Sequence, residues 1–158
     1  MKYSNLYAAL FFVLFLYTFG AGIGEGFQYA SWRLIPPASF PAVHQAVGQM
    51  AQLWLLPFVL VTFPVDVLFL CFLPSAMSRV LAVTAVILHL FVTVVTAALA
   101  IPLQVKLNNA FAADVLDRLI SFHFYLRVLP SLLGLAIAAV LLWQGFGRFQ
   151  PERTKMAG

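Results

Sequence analysis

Four long apolar stretches, joined by short connections, restrict the folds open to this chain. They cover residues 6–32, 43–73, 80–103 and 117–143. Each reaches the ~20 residues that an α-helix needs to cross the hydrocarbon core of a bilayer. Only 9% of the 158 residues are charged and 63% are hydrophobic, so the chain has too few polar side chains to cover a water-facing surface. We therefore predict an all-α integral membrane protein, a four-helix bundle that forms a single transmembrane domain.

The few basic residues predict orientation and exclude one class of partner. A net charge of +4 with no Lys/Arg cluster is too little for a nucleic-acid interface. The excess of Lys and Arg in short loops favours the cytoplasmic side. We therefore expect a bacterial inner-membrane protein with both termini in the cytoplasm and a basic, disordered tail at residues 145–158. Five basic residues lie on the terminal side of the membrane and three on the other: Lys2, Arg79, Arg148, Arg153 and Lys155 against Arg33, Lys106 and Arg118.

A secretory signal is the alternative for the first apolar stretch. Residues 6–19 would be its apolar core, and the sequence GAG at residues 20–22 its cleavage context. The apolar character continues past Gly20, however, and a basic leading region is almost absent, so we favour a membrane span. Cys71 is the single cysteine, which excludes an intrachain disulfide. In its apolar surroundings we expect it to be a small core residue.

Two ionisable residues in the fourth span are the strongest functional signal. The segment DRLISFHFYLRVLPS places His123 and Arg127 four residues apart, and therefore on one helical face. An ionisable side chain near the bilayer centre costs roughly 2.5–3.5 kcal/mol on insertion scales. Such residues normally face a protein interior, a partner charge or a water-filled cavity. We therefore expect both side chains to face a polar site inside the bundle.

Glu25 is the expected partner of Arg127. It lies among Gly20, Gly22, Gly24 and Gly26, and small residues allow helices to approach closely in a bilayer. Counted at ~1.5 Å per residue from the helix ends, Glu25 and Arg127 lie at similar depth below the side that holds Arg33 and Lys106. We predict that they form an ion pair. Glu25, His123 and Arg127 are the candidate catalytic residues.

Uncharged polar residues at the same depth extend the predicted site. Glutamines recur at helical spacing in the second span, and threonines do so in the third. We expect a polar pocket that opens to the side of Arg33 and Lys106. Its candidate ligand-binding residues are Gln49, Gln52, Thr93 and Thr96.

A metal site is a further hypothesis. His44, His123 and Glu25 have the donor types of a His/His/carboxylate set, which would make a single metal ion the cofactor. No HxxxH or ExxH spacing supports it, and a neutral histidine bonded to a glutamine or threonine is the alternative for each one. Haem ligation by His89 and His123 is disfavoured, because their depths differ by more than a turn. We expect Asp66 near the inner headgroups or capping a kink.

Two stretches carry a resemblance to a known family. They are FPAVHQAVGQM with the proline-containing helix that follows it, residues 40–57, and IPLQVKL with LISFHFYLRVLPSLLGL, within residues 101–135. Together they resemble a broad, largely uncharacterised family of small four-helix membrane proteins to which the fungal anthrone oxygenases are related. Glu25 has no counterpart in that pattern. The positions that correspond are His44, Pro102, Gln104, His123 and Arg127, and the match adds Gln104 to the candidate ligand-binding residues.

The resemblance implies chemistry on phenols. The oxygenase relatives look like enzymes that add dioxygen to electron-rich polycyclic phenols without an obvious cofactor, whereas most bacterial members have no known activity. The cofactor of the present chain is unknown, with none or the single metal ion of the preceding hypothesis as the alternatives. Our leading hypothesis is a pocket for a lipophilic molecule such as a quinone, a phenol or a lipid. Arg127 would hold its polar end and His123 would act as general base. The alternative is a structural or assembly subunit of a larger membrane complex, in which the polar residues only fix helix register.

Overall fold

Four long helices make up the fold. The computed structural model describes residues 4–146, without the side chains of residues 4, 5 and 54–56. The first helix is followed by a 3₁₀ turn at Trp32–Leu34, and π-helical segments interrupt the third helix at Thr96–Ala100 and the fourth at Phe124–Val128. The predicted tail, residues 145–158, lies outside the described residues except for its first two positions. The bounds are Ser4–Ser31 for α1, Phe40–Cys71 for α2, Arg79–Leu107 for α3 and Ala113–Phe146 for α4.

The predicted four-helix bundle is confirmed, and all four helices are long and apolar enough to cross a membrane. The helices begin and end within a few residues of the predicted spans. The largest differences are four residues each: α3 ends at Leu107, beyond the predicted 103, and α4 begins at Ala113, before the predicted 117. The connection between α3 and α4 is therefore a turn of only five residues. Large apolar side chains are exposed along the outside of every helix, as a lipid environment requires.

The helix α4 is the centre of the packing. It packs most extensively against α1 and α3, whereas α2 lies mainly against α1. We call the end of the bundle that carries the α1–α2 and α3–α4 connections the hairpin end. The opposite end, where α1 begins and α4 ends, is the terminal end. The side predicted to hold Arg33 and Lys106 is therefore the hairpin end.

Two separate apolar cores, one at each end, hold the helices together. At the terminal end, Phe15 lies directly over Gly134 of α4, where an added Cβ would be 2.1 Å from a ring carbon of Phe15. The absence of a side chain at Gly134 therefore allows α1 and α4 to approach closely. The terminal core comprises Ala8, Phe11, Phe15, Phe69, Met77, Ala82, Ala85, Ala138 and Leu141. The hairpin core comprises Tyr29, Trp32, Phe40, Ala100, Leu107, Leu116 and Leu119.

Polar contacts fix the connections at both ends. Ser78 caps α3, because its hydroxyl accepts a hydrogen bond from the amide of Leu81 at 3.4 Å. The amide of Ser78 donates to the side-chain oxygen of Gln144 at 2.9 Å, which ties the α2–α3 turn to α4. At the hairpin end, an exposed ion pair joins Arg33 to Asp117. The ends of the helices are therefore held in place by polar contacts, and the bundle between them is predominantly apolar.

Candidate functional site

An ion pair between Glu25 and Arg127 joins α1 to α4. The guanidinium Nη1 of Arg127 lies 2.7 Å from Oε2 of Glu25, which confirms the ion pair predicted from the sequence. The side chains are only 14% and 16% exposed. Because each is a charge inside an otherwise apolar bundle, loss of either would leave the other uncompensated. The approach of α4 to the glycine-rich part of α1 is also as expected, since the His123 ring lies beside Gly26.

His123 supports Arg127 from the same helix. Its Nε2 lies 2.6 Å from the backbone oxygen of Gly22, and its Nδ1 lies 3.0 Å from Nη1 of Arg127. A carbonyl oxygen only accepts and a guanidinium only donates, so Nε2 carries the hydrogen and Nδ1 is the acceptor. The imidazole is therefore neutral, and it is 3% exposed. Both ring nitrogens are engaged within the protein.

Tyr29 and Gln104 extend the network to α3. The hydroxyl of Tyr29 donates to Oε2 of Glu25 at 3.1 Å and accepts from the side-chain amide of Gln104 at 2.7 Å. Tyr29 was not among the site residues predicted from the sequence. Its spacing of four residues from Glu25, which places both on one face of α1, is the signal that could have found it. We call Glu25, Tyr29, Gln104, His123 and Arg127 the Arg127 cluster.

Two π-helical segments lie at the level of this cluster. The amide of Leu129 donates to the carbonyl of Phe124, and the amide of Ile101 donates to that of Thr96, five residues back in both cases. In each helix a proline, Pro130 or Pro102, follows the segment after one intervening residue. Proline has no N–H and its ring displaces the carbonyl four residues before it, which disfavours the regular α-helical pattern there. Single π-helical turns are frequent at functional sites.

The other predicted ligand-binding residues do not join the cluster. Gln49 and Gln52 lie exposed on α2. Thr93 and Thr96 use their hydroxyls within α3, donating to the carbonyls of His89 and Val92 at 3.0 and 2.7 Å. A helical hydroxyl commonly bonds the carbonyl four residues back, so helical spacing alone did not show that these threonines were already satisfied. Of the predicted ligand-binding residues, the structure brings only Gln104 to Glu25 and Arg127.

The predicted metal ligands are not assembled into one site. His44 is buried at the hairpin end against Trp32 and Phe40, with ring centroids 4.5 and 5.5 Å away. Its Nδ1 lies 2.6 Å from the side-chain oxygen of Asn108. Within residues 4–146, no three His, Cys, Asp or Glu side chains are placed to share a metal ion. His44 packs against the hairpin core, whereas His123 and Glu25 contact Arg127.

A second buried polar group lies toward the terminal end. Asp66 of α2 is 4% exposed and its two carboxylate oxygens each lie 3.2 Å from Nδ1 of His89. The other ring nitrogen of His89, Nε2, lies 3.3 Å from the hydroxyl of Thr18. We expected Asp66 near the inner headgroups or capping a kink, and its pairing with His89 in the bundle interior was not predicted from the sequence. We call Thr18, Asp66 and His89 the His89 cluster.

A cavity lined by apolar side chains lies outside both clusters. It has a volume of about 380 Å³ and lies between α1 and α2. Its walls carry no charged or amide side chain, so it differs from the polar pocket expected from the sequence. A stacked pair, Tyr17 on Phe58 at 3.8 Å, lies beside it. The lining residues are Leu10, Val13, Leu14, Pro57, Phe58, Val61 and Val65.

Comparison with known proteins identified no similar protein. A scan against protein-family models, a search of curated proteins and a search of solved structures each found no match. The resemblance to the relatives of the anthrone oxygenases therefore stays an expectation based on the two sequence stretches.

Proposed function

We propose that this chain binds the polar head of a lipophilic small molecule, such as a quinone or a phenol, at the Arg127 cluster. The observation that carries the proposal is the Nε–H of Arg127. This buried donor has no acceptor among the described residues, although Nη1 of the same guanidinium contacts both Glu25 and His123. A buried unsatisfied donor costs about 1–3 kcal/mol, so an oxygen acceptor from a ligand would be favourable here.

The charge of the cluster suits a neutral or weakly anionic ligand. Glu25 already compensates the charge of Arg127, so the pair adds no net charge to the site. A carbonyl or phenolic oxygen would accept from Nε without requiring a second buried charge.

His123 has a positioning role in this proposal. Its hydrogen bond to the backbone of Gly22 fixes the ring, and its Nδ1 then holds the guanidinium of Arg127. The resemblance implies oxygenation of an electron-rich phenol with His123 as base. That reaction would first require one of these two hydrogen bonds to open, because both ring nitrogens are engaged.

The apolar cavity would hold the tail of the ligand. On α1, Leu14 in the cavity wall and Glu25 in the cluster are eleven residues apart, roughly 16 Å along the helix axis. At 100° per residue, the cavity face of α1 lies next to the face that carries Glu25. A molecule with a polar head and an apolar chain of that length would span the two sites along α1.

Membrane placement is part of the same proposal. We infer a multi-pass protein of the bacterial inner membrane with both termini in the cytoplasm. The support is the sequence count of five basic residues on the terminal side of the membrane against three on the other. The ligand site would then lie in the half of the bilayer farther from the cytoplasm.

A structural subunit is the second candidate. The observation that favours it is that the cluster's hydrogen bonds join three helices: Tyr29 of α1 to Gln104 of α3, and Glu25 of α1 to Arg127 of α4. Polar groups of this kind can fix the register of helices without binding anything. In that case the chain would assemble with other membrane subunits.

Tryptophan fluorescence separates the two candidates. The ring of Trp32 lies 4.8 Å from that of Tyr29, so a quinone at the cluster would quench its emission. The experiment uses Trp54→Phe/Trp143→Phe protein in lipid nanodiscs, titrated with a decyl-tailed benzoquinone. We expect saturable quenching, with an affinity about tenfold weaker in Arg127→Gln, which corresponds to the loss of one hydrogen bond.

The matched control is Arg33→Gln, which removes an exposed arginine from a pair with Asp117 and should leave the affinity unchanged. Equal affinity in Arg127→Gln and its parent would contradict the proposed head site. No saturable quenching, together with a stoichiometric protein partner in native mass spectrometry, would support the structural subunit. Phenol oxygenation is checked by oxygen consumption with the same variants.

A further inference from the structure

The His89 cluster joins three helices through one histidine. Thr18 comes from α1, Asp66 from α2 and His89 from α3, and the aspartate and histidine are 4% and 3% exposed. The carboxylate oxygens of Asp66 lie 3.2 Å from Nδ1 of His89, while the hydroxyl of Thr18 lies 3.3 Å from Nε2. A carboxylate, an imidazole and a hydroxyl therefore stand in line across the bundle.

The surroundings of the cluster are apolar on every helix. On α1, Phe15 stacks on the His89 ring at 3.9 Å and Phe11 meets it edge-on at 6.5 Å. On α2, Phe69 stacks on Phe11. The helix α4 contributes Gly134 against Phe15 and no titratable side chain at this level. Within the described part of the chain, the ion-pair partner of Asp66 is His89.

The hydrogen bonds allow two placements of the hydrogens. The hydroxyl of Thr18 lies 2.8 Å from the carbonyl of Leu14 and 3.3 Å from Nε2, so it can donate its single hydrogen to either. When it donates to Leu14, its oxygen faces Nε2 as an acceptor, and Nε2 then carries a hydrogen. Asp66 and Nδ1 also need a hydrogen between them. In that arrangement Asp66 and His89 together hold one proton beyond those of a carboxylate and a neutral imidazole, and the pair is neutral overall.

We propose that Thr18, Asp66 and His89 form a proton-binding site that takes up and releases one proton in the folded protein. In the loaded state Nε2–H donates to Thr18. On release that proton leaves Nε2 for water, the Thr18 hydroxyl rotates from Leu14 to donate to Nε2, and Nδ1–H still donates to Asp66. The N–H bond of Nε2 is the one that breaks. In both states each ring nitrogen of His89 keeps a hydrogen-bond partner, which a buried site needs in order to change charge without unfolding.

Histidine nitrogen NMR tests the proposal on the whole protein in nanodiscs. With ¹⁵N-labelled histidine, the His89 signals are assigned by their loss in His89→Asn. In the wild-type protein we expect both nitrogens to be protonated in the loaded state and Nε2 to lose its hydrogen in one reversible step as the pH is raised. We expect Asp66→Asn to lose the loaded state, because a neutral amide does not compensate the charge of the doubly protonated ring.

Matched controls make the result specific. Asp117→Asn removes an exposed carboxylate and Glu25→Gln alters the Arg127 cluster, and neither should change the pH midpoint at which Nε2 of His89 loses its hydrogen. Thr18→Ser should leave that midpoint unchanged, whereas Thr18→Val should shift it. A wild-type His89 that stays in one protonation state until the protein unfolds would overturn the proposal. So would a step with the same midpoint in Asp66→Asn or in Thr18→Val. Neither outcome depends on whether the Arg127 cluster binds a ligand.

Discussion

At the scale of single residues, burial determines which charges matter. Arg127 and Glu25 form an ion pair whose side chains are about one-sixth exposed or less, whereas Arg33 and Asp117 form one whose side chains are 57% and 61% exposed. Water screens the second pair and leaves little net energy in it. The first pair is separated from water, so each charge depends on the other.

The two ion pairs should respond very differently to mutation. We expect Arg127→Gln to lower the free energy of unfolding by about 3 kcal/mol, because Glu25 is left uncompensated. Arg33→Gln, the exposed counterpart, should cost less than about 1 kcal/mol. Reversible unfolding in mixed detergent micelles gives both values. A double change of Glu25 and Arg127 to glutamine should cost less than the sum of the single changes, and strict additivity would argue against a coupled pair.

The hydroxyl of Tyr29 gives a second comparison at this scale. It bridges Gln104 and Glu25, so Tyr29→Phe leaves two partly buried groups each lacking a hydrogen bond. We expect a loss of about 1–2 kcal/mol in the same unfolding measurement. Tyr125→Phe is the control, because that side chain is 64% exposed and should change stability by less than about 0.5 kcal/mol. An equal effect of the two changes would show that the bridge contributes nothing.

At the scale of helices, two prolines shape the fold near the candidate site. Pro102 and Pro130 each follow a π-helical segment after one intervening residue. A π-helical turn holds one more residue per turn than the α-helix, so the side chains beyond it are rotated relative to those before it. In α4, His123 before the segment and Ser131 and Gly134 after it are all buried in the bundle interior.

Glycine substitutions test how closely α1 and α4 pack. Gly134→Ala places a methyl group 2.1 Å from a carbon of the Phe15 ring, and that ring is fully buried and stacked on His89. We expect a loss of about 1–3 kcal/mol from overpacking. Gly24→Ala, which meets no atom within 4 Å, should be neutral or stabilise the helix by up to about 1 kcal/mol. Thermal melting of the two variants in nanodiscs provides the comparison, and a stabilised Gly134→Ala would contradict the packing.

At the scale of the whole molecule, an even number of spans puts both ends of the chain on one side. The helices α1 and α4 reach the same end of the bundle, so reporters fused at the two termini should report the same compartment. From the basic residues we expect that compartment to be the cytoplasm. A fluorescent protein that folds only in the cytoplasm and a phosphatase active only outside it make the assignment. Opposite sides for the two termini would rule out the four-span topology.

The sequence by itself was sufficient for the architecture and for one contact of the site. Long apolar stretches with few charges are compatible with a lipid bilayer and not with water. In a bilayer the backbone N–H and C=O groups must be hydrogen-bonded within the protein, which an α-helix achieves. Glu25 and Arg127 were predictable as partners because an unpaired charge at that depth is unfavourable whatever the surrounding packing. Both conclusions follow from large free energies, those of placing apolar helices in a bilayer and of pairing a buried charge, which outweigh differences in side-chain packing.

Tertiary structure alone decided which neutral polar groups join the site. Helical periodicity placed Gln49 and Thr93 on plausible faces, yet the rotation of each helix against its neighbours left both of them exposed. The same rotation brought Asp66 to His89, two residues 23 positions apart whose pairing no local spacing indicates. An uncharged polar side chain costs little free energy on either the inner or the outer face of a helix, so the sequence does not fix its position. Helix rotation depends on contacts such as Phe15 on Gly134, which exist only once the bundle has packed.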